Sequence, residues 1–526
     1  MYRKIQATPL RQALPEAVAV VMFDQVKQLP EGYEKLDQQL GGVLTQALKR
    51  QEFSASEGSV SALYPAASGR GIPQRVYVAG LGKEEQFTSN ALRIAAARVL
   101  RAAYAARVKQ LGLLVMGGLN ERLSAEQAGA AVGDGVAIAR FDFDRFRGAA
   151  GKKNSSFNGP AIDLKLLIEP PLRASAERAL LIGDSVTTAR ELAATPPNVA
   201  HPDYLADYCR KLAQRVGLKC TLIRESQAKR LGMGGLLAVG GGGSRDPVLI
   251  CLEWPGARTH ARRARATKTR SRTRASAAPV LLVGKAVTFD TGGYSLKPPQ
   301  AMTGMKYDKS GGTAVIGIME AVARLKLPVP VVGLIPAVEN MIDDDAYRVD
   351  DIIRFANGVT AEITNTDAEG RLILADALAY GTQRYRPRAV LDFATLTGGV
   401  VVALGSFCAG LFCNDGDLRQ RIQRAADFTG ERVWELPLWH EHRQLIRGTH
   451  ADLINAGERE AHPIQGAAFL SHFVGSDAPT RLPTIPWAHF DIAGVADARK
   501  DTPLYPKGPT GYGVRLTVEL LSQWRG

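Results

Sequence analysis

The N-terminal part of the chain alternates short apolar runs with longer stretches in which apolar residues recur at helical spacing. Apolar runs at Val18–Phe23, Arg75–Val78 and Leu111–Met116 predict buried strands, because a strand covered on both faces reads as a continuous apolar segment. Ala91–Ala106 and Ser124–Ala139 have the periodicity of helices. This alternation is typical of an α/β domain.

The alternation ends in a loop, a strand and a long helix. Phe141–Pro160 is polar and without period, which predicts a loop, and Leu164–Ile168 predicts one more strand. The run Ala174–Ala194 is compatible with one long helix that ends before a pair of prolines. We therefore expect an N-terminal α/β domain, a linking helix and a second domain, at residues 1–173, 174–194 and 195–526.

The second domain repeats the pattern on a larger scale. Its predicted strands are Lys219–Ile223, Val248–Leu252, Val280–Val283, Val329–Ile335, Ala361–Ile363, Ala389–Phe393 and His489–Ile492. Its predicted helices are Ala314–Leu325, Arg371–Tyr385 and Leu418–Phe428. The predicted fold class is α/β with two domains, the larger C-terminal one having a central mixed sheet flanked by helices.

A basic segment, residues 256–278, interrupts the second domain between two predicted strands. From Arg258 to Arg274 it holds seven Arg, one Lys and no acidic residue, and these eight residues supply more than half of the net charge of +14. We expect a solvated loop insertion. A polyanion-binding arm is the alternative.

Composition limits the class of protein. With 526 residues and 45% hydrophobic residues, the chain is too long for one compact domain and too apolar to be disordered. Its five cysteines form no Cys-x-x-Cys pair, which argues against a disulfide framework or a cysteine zinc site. Since no stretch approaches the ~20 apolar residues that span a bilayer, we expect a cytoplasmic protein with no membrane partner.

Charged residues concentrate in three stretches of the second domain, at strand ends and helix starts, where α/β sheets place their ligands. The stretches are 284–297, 305–312 and 365–371. Their functional candidates are Lys285, Asp290, Lys297, Asp308, Asp367, Glu369 and Arg371. We expect Lys285 at a strand end and Asp290 in the turn that follows.

The four carboxylates among these candidates point to a divalent metal. Placed together they would repel one another and some would take up a proton, a conflict that one metal ion resolves and two resolve better. If residues 367–369 are extended, both acids of this segment face one side. Since no histidine lies in the three stretches, oxygen ligands with perhaps one lysine nitrogen favour Mn²⁺, Mg²⁺ or Zn²⁺.

Each residue alone has a simpler explanation. Asp308 or Asp367 near a helix start is commonly an N-cap or a dipole partner, and Lys285 alone is commonly a surface or ion-pair lysine. Capping does not explain the whole of Asn365–Arg371, because too many charged side chains adjoin the apolar helix that follows.

These residues resemble the leucine aminopeptidase (cytosol aminopeptidase) family of dinuclear-metal exopeptidases. Residues 365–372, Asn-Thr-Asp-Ala-Glu-Gly-Arg-Leu, match that family's signature throughout. Further matches are segments 284–293, 394–398 and 491–495, and the eleven-residue step from Lys297 to Asp308. The resemblance covers residues 189–526 and, more loosely, the N-terminal domain, and it makes 195–526 the catalytic domain.

The resemblance implies two divalent metal ions per subunit, Mn²⁺ or Zn²⁺ with Mg²⁺ as an alternative. The implied metal ligands are Lys285, Asp290, Asp308, Asp367 and Glu369. Asp290 and Glu369 would bridge the ions, and the ion held through Asp367 would be the more exchangeable. Lys297 and Arg371 would be the catalytic pair: the Lys297 ammonium stabilises the developing oxyanion, and Arg371 holds a bicarbonate as general base.

The implied function is that of a leucyl-type aminopeptidase, which releases N-terminal amino acids by two-metal hydrolysis of the first peptide bond. The substrate's α-amine would coordinate a metal, so the partners would be peptides with a free N-terminus. Because family members are commonly hexamers, the resemblance also implies a homohexamer.

The family's pocket for the first side chain of the substrate would be lined here by Met305, Thr395, Leu396, Gly398, Ala493 and Ala496. Ordinary core packing is the alternative for each. Ala496 is smaller than the methionine expected there, which would admit bulkier side chains. Lys309 also departs from the family, because it adds a positive charge beside a metal ligand and would tune the choice of metal.

Two other functions stay open. A nucleic-acid binder that uses Arg258–Arg274 as its arm, with or without peptidase activity, predicts a steep salt dependence of DNA binding. A different two-metal hydrolase, such as a phosphatase, predicts additional histidine ligands, which these motifs lack.

Overall fold

The structure is a computed structural model that describes residues 2–8, 14–66, 69, 71–115, 122–149, 161–257, 278–475 and 485–524. The chain forms two compact units, residues 1–187 with 499–507 and residues 188–498 with 508–526. The segment 499–507, which we expected in the second domain, thus groups with the first unit. The basic run Arg258–Arg274 lies outside the described residues.

A six-stranded sheet lies at the centre of the first unit. Its strands are β1 Tyr2–Thr8, β2 Ala17–Met22, β3 Val60–Leu63, β4 Arg75–Gly80, β5 Gln110–Val115 and β6 Ile162–Ile168. Their order is β1-β6-β5-β2-β4-β3, and all neighbours are parallel except β3 and β4. Alternate residues of β2 enter two different hydrophobic clusters, so both faces of the sheet are covered.

The helices of the first unit are α1 Glu34–Gln39, α2 Val43–Lys49, α3 Ser89–Ala105 and α4 Ala125–Ala139. Helix α4 begins at a capping box, in which Ser124 Oγ accepts from Gln127 N at 3.2 Å and Gln127 Oε1 accepts from Ser124 N at 3.0 Å. The long helix α5, Pro170–Ala194, contains the boundary between the units.

The second unit has a nine-stranded mixed sheet. Its strands are β7 Lys219–Arg224, β8 Val248–Trp254, β9 Val280–Gly284, β10 Ala286–Asp290, β11 Val331–Asn340, β14 Ala389–Ala394, β15 Ala409–Cys413, β16 Val433–Glu435 and β18 Trp487–Asp491. Their order is β16-β15-β18-β14-β9-β11-β8-β7, with β10 also paired to β11. The remaining strands form two small sheets: β12 Ile352–Arg354, β13 Thr360–Glu362 and β17 Leu453–Ile454; β19 Asp497–Ala498 and β20 Gly508–Pro509.

Helices accompany this sheet, which confirms the predicted α/β fold class. They are α6 Pro202–Val216, α7 Glu225–Arg230, α8 Gly234–Gly241, α9 Pro299–Met302, α10 Ser310–Arg324, α11 Gly370–Tyr385, α12 Gly398–Leu404, α13 Gly416–Thr429, α14 His440–Gln444, α15 His462–Ser471 and α16 Val514–Ser522. None of the helices in the described ranges combines the length and the apolar character that crossing a membrane requires.

Two sequence predictions about strands are wrong in a way that affects the site. Asp290 does not lie in a turn but ends β10, which pairs with β11. Strand β11 continues five residues beyond the predicted end at Ile335. Pro336 directly follows the predicted end and lies where the parallel neighbour of β11 changes from β9 to β10. The strand therefore continues past the proline and carries Asn340 to its end.

Candidate metal centre

The predicted metal-site residues lie at ends of elements of the second unit. Lys285 follows β9, Asp290 ends β10, Asp308 precedes α10, and Asp367 and Glu369 precede α11. The backbone of Lys285 is held from two sides, because its N–H donates to Phe393 O at 3.0 Å and its carbonyl accepts from Gly312 N at 2.6 Å. Strand ends and a helix start thus converge on one place.

Glycines permit this convergence. A Cβ added to Gly311 would lie 2.0 Å from Phe393 O, and one added to Gly370 would lie 2.7 Å from Lys285 Nζ. The methyl group at 311 would push α10 away from the strand end, and the one at 370 would displace the side chain of Lys285. The close approach of both helices to Lys285 therefore depends on residues without a side chain.

Lys285 lies between two carboxylates. Its Nζ is 2.9 Å from Asp308 Oδ1 and 2.7 Å from Glu369 Oε1, and it donates to Thr395 O at 3.0 Å. Burial alone would lower the pKa of Lys285, but the charges of Asp308 and Glu369 outweigh it and the net pKa is raised. Of the two simple explanations for Lys285, the surface lysine is wrong, since only 3% of the residue is exposed, whereas the ion-pair lysine agrees with its contacts to Asp308 and Glu369.

The second lysine of the site, Lys297, pairs with the carboxylates of Asp290 and Asp367. Asp290, Asp367 and Glu369 each present a carboxylate oxygen within 4.8 Å of the other two. Lys297 Nζ lies 2.6 Å from Asp290 Oδ2 and contacts Asp367 Oδ1. Burial is the largest cause of the raised pKa of Asp367 and of Glu369, and the neighbouring charge of Asp290 adds to it. The cluster therefore concentrates negative charge in a buried place.

Several buried oxygens of this cluster have no hydrogen-bond donor among the described residues. They are Asp308 Oδ2, Glu369 Oε1 and Asn340 Oδ1. Of these oxygens, Glu369 Oε1 is ion-paired with Lys285 Nζ at 2.7 Å. Burial raises the pKa of Asp308 to about 7. The carboxylate oxygens among these, beside a lysine nitrogen, form a donor set that fits a divalent metal ion.

Local backbone geometry corrects two expectations. Residues 367–369 are not extended: Asp367 lies in a turn, and Glu369 has helical angles of φ −74° and ψ −36°. The carboxylates at 367 and 369 nevertheless meet, because the turn redirects the chain. Neither α10 nor α11 has a side-chain cap, so the capping explanation for Asp308 and Asp367 is wrong. Asp308 Oδ1 instead accepts from Thr395 Oγ1 at 2.7 Å.

Arg371 lies in the first turn of α11 and is 1% exposed. Its Nη1 donates to Asn455 O at 2.6 Å, while its buried Nε finds no acceptor among the described residues. Burial lowers the pKa of Arg371 to about 10, although the charge of Glu369 opposes the shift. The guanidinium stays charged at neutral pH and can hold an anion at the helix start.

Three residues of the site were not predicted. Asn340 Nδ2 donates to Asp290 Oδ1 at 2.8 Å and to Thr366 O at 3.2 Å, and Tyr347 Oη donates to the same carbonyl at 2.7 Å. Asn455 supports the loop before Asp367 through Asn365, with Nδ2 donating to Asn365 O at 2.6 Å. Of these three, only Asn340 could have been suspected from the sequence, because it is a polar residue at the end of an apolar run.

Five of the six predicted pocket residues are described by their contacts or turns near the cluster, and the sixth, Ala496, borders a separate small cavity. Thr395 contacts Asp308, and the N–H groups of Leu396 and Ala493 both donate to Asp491 Oδ1, at 3.1 and 3.2 Å. Met305 lies in the 3₁₀ turn before Asp308, and Gly398 opens onto free space. Ala496, by contrast, is buried against a small cavity of about 10 Å³ that it shares with Ile492 and Ser310.

Family models cover both units of the chain. The model of the cytosol aminopeptidase family, catalytic domain, matches residues 187–518, and that of the same family's N-terminal domain matches residues 19–149.

Curated relatives and solved structures agree with these matches. A probable cytosol aminopeptidase of Syntrophotalea carbinolica is 41% identical over 496 residues, 93% of each chain. Another, of Geobacter sp. (strain M21), is 38% identical over 517 residues, 98% of each chain. The bottromycin maturation enzyme BotP in complex with Mn is 31% identical, with a TM-score of 0.80 over 96% of this chain and 99% of that one.

The fold and these relatives define a metal-dependent hydrolase that acts on peptides. The chain belongs to the cytosol aminopeptidase family.

Proposed function

We propose that the protein is a leucyl-type aminopeptidase that uses two divalent metal ions per subunit. The observation that carries this proposal is the cluster of Asp290, Asp308, Asp367 and Glu369, in which four carboxylates meet only two lysine nitrogens and the buried Asp308 Oδ2 has no donor among the described residues. Lys285 and Asp308 would hold one ion, Asp367 would hold the other, and Asp290 and Glu369 would bridge them. BotP supports Mn²⁺ as the first ion to test.

Bound at this cluster, two ions would polarise the scissile carbonyl and lower the pKa of a water molecule. Lys285 would have to lose its proton to serve as a nitrogen ligand, and a metal ion provides the driving force for that loss. Lys297, kept as an ammonium by Asp290 and Asp367, would stabilise the negative charge that develops on the carbonyl oxygen. Arg371 would hold a bicarbonate that accepts the proton of the attacking water.

The remaining features of the proposal concern substrate and assembly. The substrates would be peptides with a free N-terminus, whose first side chain would lie against Met305, Thr395, Gly398 and Ala493. Ala496 would lie at the far end of this pocket, where it borders a cavity of about 10 Å³. We also propose a cytoplasmic homohexamer.

The test is release of p-nitroaniline from leucine-p-nitroanilide, with Mn²⁺-loaded and EDTA-stripped protein. Turnover of the free-amine substrate only with metal, and none of its N-acetylated form, supports the proposal. Absence of turnover with Mn²⁺, Zn²⁺ and Mg²⁺ across several N-terminal residues would contradict it. Metal analysis of the loaded protein should give two ions per chain, and one ion would contradict the dinuclear site.

A second activity, polyanion binding through Arg258–Arg274, is favoured by the density of arginine in that run. Its test is the salt dependence of DNA binding by the full chain and by a variant that lacks residues 258–274. A steep dependence that disappears with the deletion supports it. Weak, salt-insensitive binding by both chains would exclude it.

A further inference from the structure

The sheet of the first unit has a point at which its connections diverge. Strands β2 and β5 are parallel neighbours. After β2 the chain continues to β3 and β4 on one side, whereas after β5 it continues to β6 on the other side. In doubly wound sheets this divergence opens a crevice at the carboxyl ends of the two strands, and ligands bind there.

Two adjoining cavities lie at the carboxyl end of β2, one of the two strands at this divergence. The loop that follows β2 lines both of them, one of about 640 Å³ and one of about 240 Å³, and they share Phe23 and Val26. The larger lies in the range of small-molecule sites, ~300–1,000 Å³. Phe87 holds the Phe23 ring edge-on at a centroid distance of 4.9 Å, so the wall between the cavities is fixed.

The larger cavity is lined by two glutamines in an unfavourable backbone conformation. Gln25 has φ 61° and Gln51 has φ 54°, in the left-handed region that glycine, asparagine and aspartate favour. Seven non-glycine residues within the described ranges have positive φ, and two of them line this one cavity. Glycine would relieve the strain at either position, so the side chains at 25 and 51 point to a use that offsets it.

The other lining residues define the chemistry. Asp24 supplies a carboxylate at the end of β2, Phe53 supplies a half-buried aromatic ring, and Lys27 supplies one cation. A carboxylate at a strand end of a doubly wound sheet is suited to the hydroxyl groups of a ribose. The two carboxamides offer paired donors and acceptors to the edge of a base, and an aromatic ring offers a stacking surface.

We propose that this cavity of the first unit binds a nucleoside. The base would stack on Phe53 and bond to the carboxamides of Gln25 and Gln51, and the ribose hydroxyls would donate to Asp24. The lining groups match a base and a ribose, and the proposal is therefore limited to these two parts of a ligand. This site would be separate from the peptidase centre.

The test uses the full-length, metal-stripped chain, so that failure of the peptidase proposal does not affect it. Adenosine, guanosine, cytidine and uridine would be compared by saturation-transfer difference NMR and by calorimetric titration. The informative variants are Gln25→Gly and Gln51→Gly. Both should keep or raise Tm, because glycine suits their backbone, while each should weaken nucleoside binding about tenfold or more.

Arg107→Gly is the matched control, since Arg107 also has a positive φ of 57° in the same unit but does not line either cavity. It should raise Tm and leave binding unchanged. Asp24→Asn should also weaken binding about tenfold, because the carboxylate accepts from ribose.

Three results would overturn the proposal. One is the absence of binding by all four nucleosides at millimolar concentration. The second is unchanged nucleoside affinity in both glutamine variants. The third is tighter binding of leucine or of a dipeptide than of any nucleoside, which would indicate that Asp24 and Lys27 recognise the charged ends of an amino acid.

Discussion

Asn340 offers a sharp test of the site, because it orients a carboxylate without being a proposed ligand. Its Nδ2 bonds to Asp290 Oδ1 and to Thr366 O, at 2.8 and 3.2 Å. The substitution Asn340→Leu keeps the size of the side chain and removes both donors. Asp290 Oδ1 then retains the N–H of Gly292, at 2.9 Å, and can rotate away from the position in which it would bridge two ions.

The expected magnitude follows from these bonds. A hydrogen bond to a charged group contributes about 1.5–3 kcal/mol and one to a neutral carbonyl about 1 kcal/mol. Groups that orient a metal ligand typically contribute about 10–100-fold in affinity, which corresponds to about 1.4–2.7 kcal/mol. We therefore expect Asn340→Leu to weaken Mn²⁺ binding by that factor.

The assay is competition for Mn²⁺ against a fluorescent chelator, together with the rate of leucine-p-nitroanilide hydrolysis as a function of Mn²⁺ concentration. The variant should need more Mn²⁺ for half-maximal rate, but approach the parent rate at saturation. Asn357→Leu is the matched control, because Asn357 also makes two hydrogen bonds, to His472 O and from Val359 N, in a loop that contributes nothing to the site.

The reasoning is refuted if Asn340→Leu binds Mn²⁺ as the parent chain does. It is also refuted if the variant loses rate that saturating Mn²⁺ does not restore, because orientation of Asp290 would then not be the function of Asn340. A loss of Mn²⁺ affinity in Asn357→Leu of the same size would show that the effect is not specific to the site.

Further predictions concern catalysis and stability. Lys297→Met should lower kcat about 10²–10³-fold with the Mn²⁺ content unchanged; lost metal would contradict its role at the oxyanion. Arg371→Ala should lower the rate and abolish any stimulation by added bicarbonate, measured in degassed buffer. Asp376→Ala should destabilise the fold by about 2–4 kcal/mol in urea unfolding, because Asp376 accepts from the buried N–H groups of Leu236 and Ala356, both at 2.9 Å. Burial raises the pKa of Asp376 to about 7, above the about 3.9 of an unfolded chain. The folded state thus holds a proton that the unfolded state lacks, and stability falls as pH rises between these values; Asp376→Asn should flatten that slope.

Much of the fold followed from periodicity. The predicted strand Val18–Phe23 and helix Ala91–Ala106 differ from β2 and α3 by one or two residues at each end, because their apolar pattern is the pattern of burial. Helices α1 and α2 were missed because each has only six or seven residues, too few to show a period. Strand β10 was missed because only pairing with β11 makes Ala286–Asp290 a strand, and that pairing joins segments far apart in sequence.

The site residues also divide into those that could be predicted from the sequence and those that could not. The charged residues stand out in the sequence, because charged side chains beside buried apolar elements are costly unless they are paired. The structure brings Lys285, Asp290 and Glu369 together. Asn340 and Asn455 did not stand out, because the hydrogen bonds of an amide side chain depend on the atoms that tertiary packing places around it. Asn455 is 84 residues away from Arg371 in the sequence, and its carbonyl accepts a hydrogen bond from Arg371 Nη1.

The two lysines have a consequence for how the protein is made. Lys285 and Lys297 place ammonium groups among the acids of the cluster, and thereby act as internal counter-ions. We therefore expect the chain to fold without any ion from solution, unlike small domains that fold only when metal binds. Metal loading would then follow folding, and the supply of divalent ions, rather than the folding reaction, would decide which ion the protein carries.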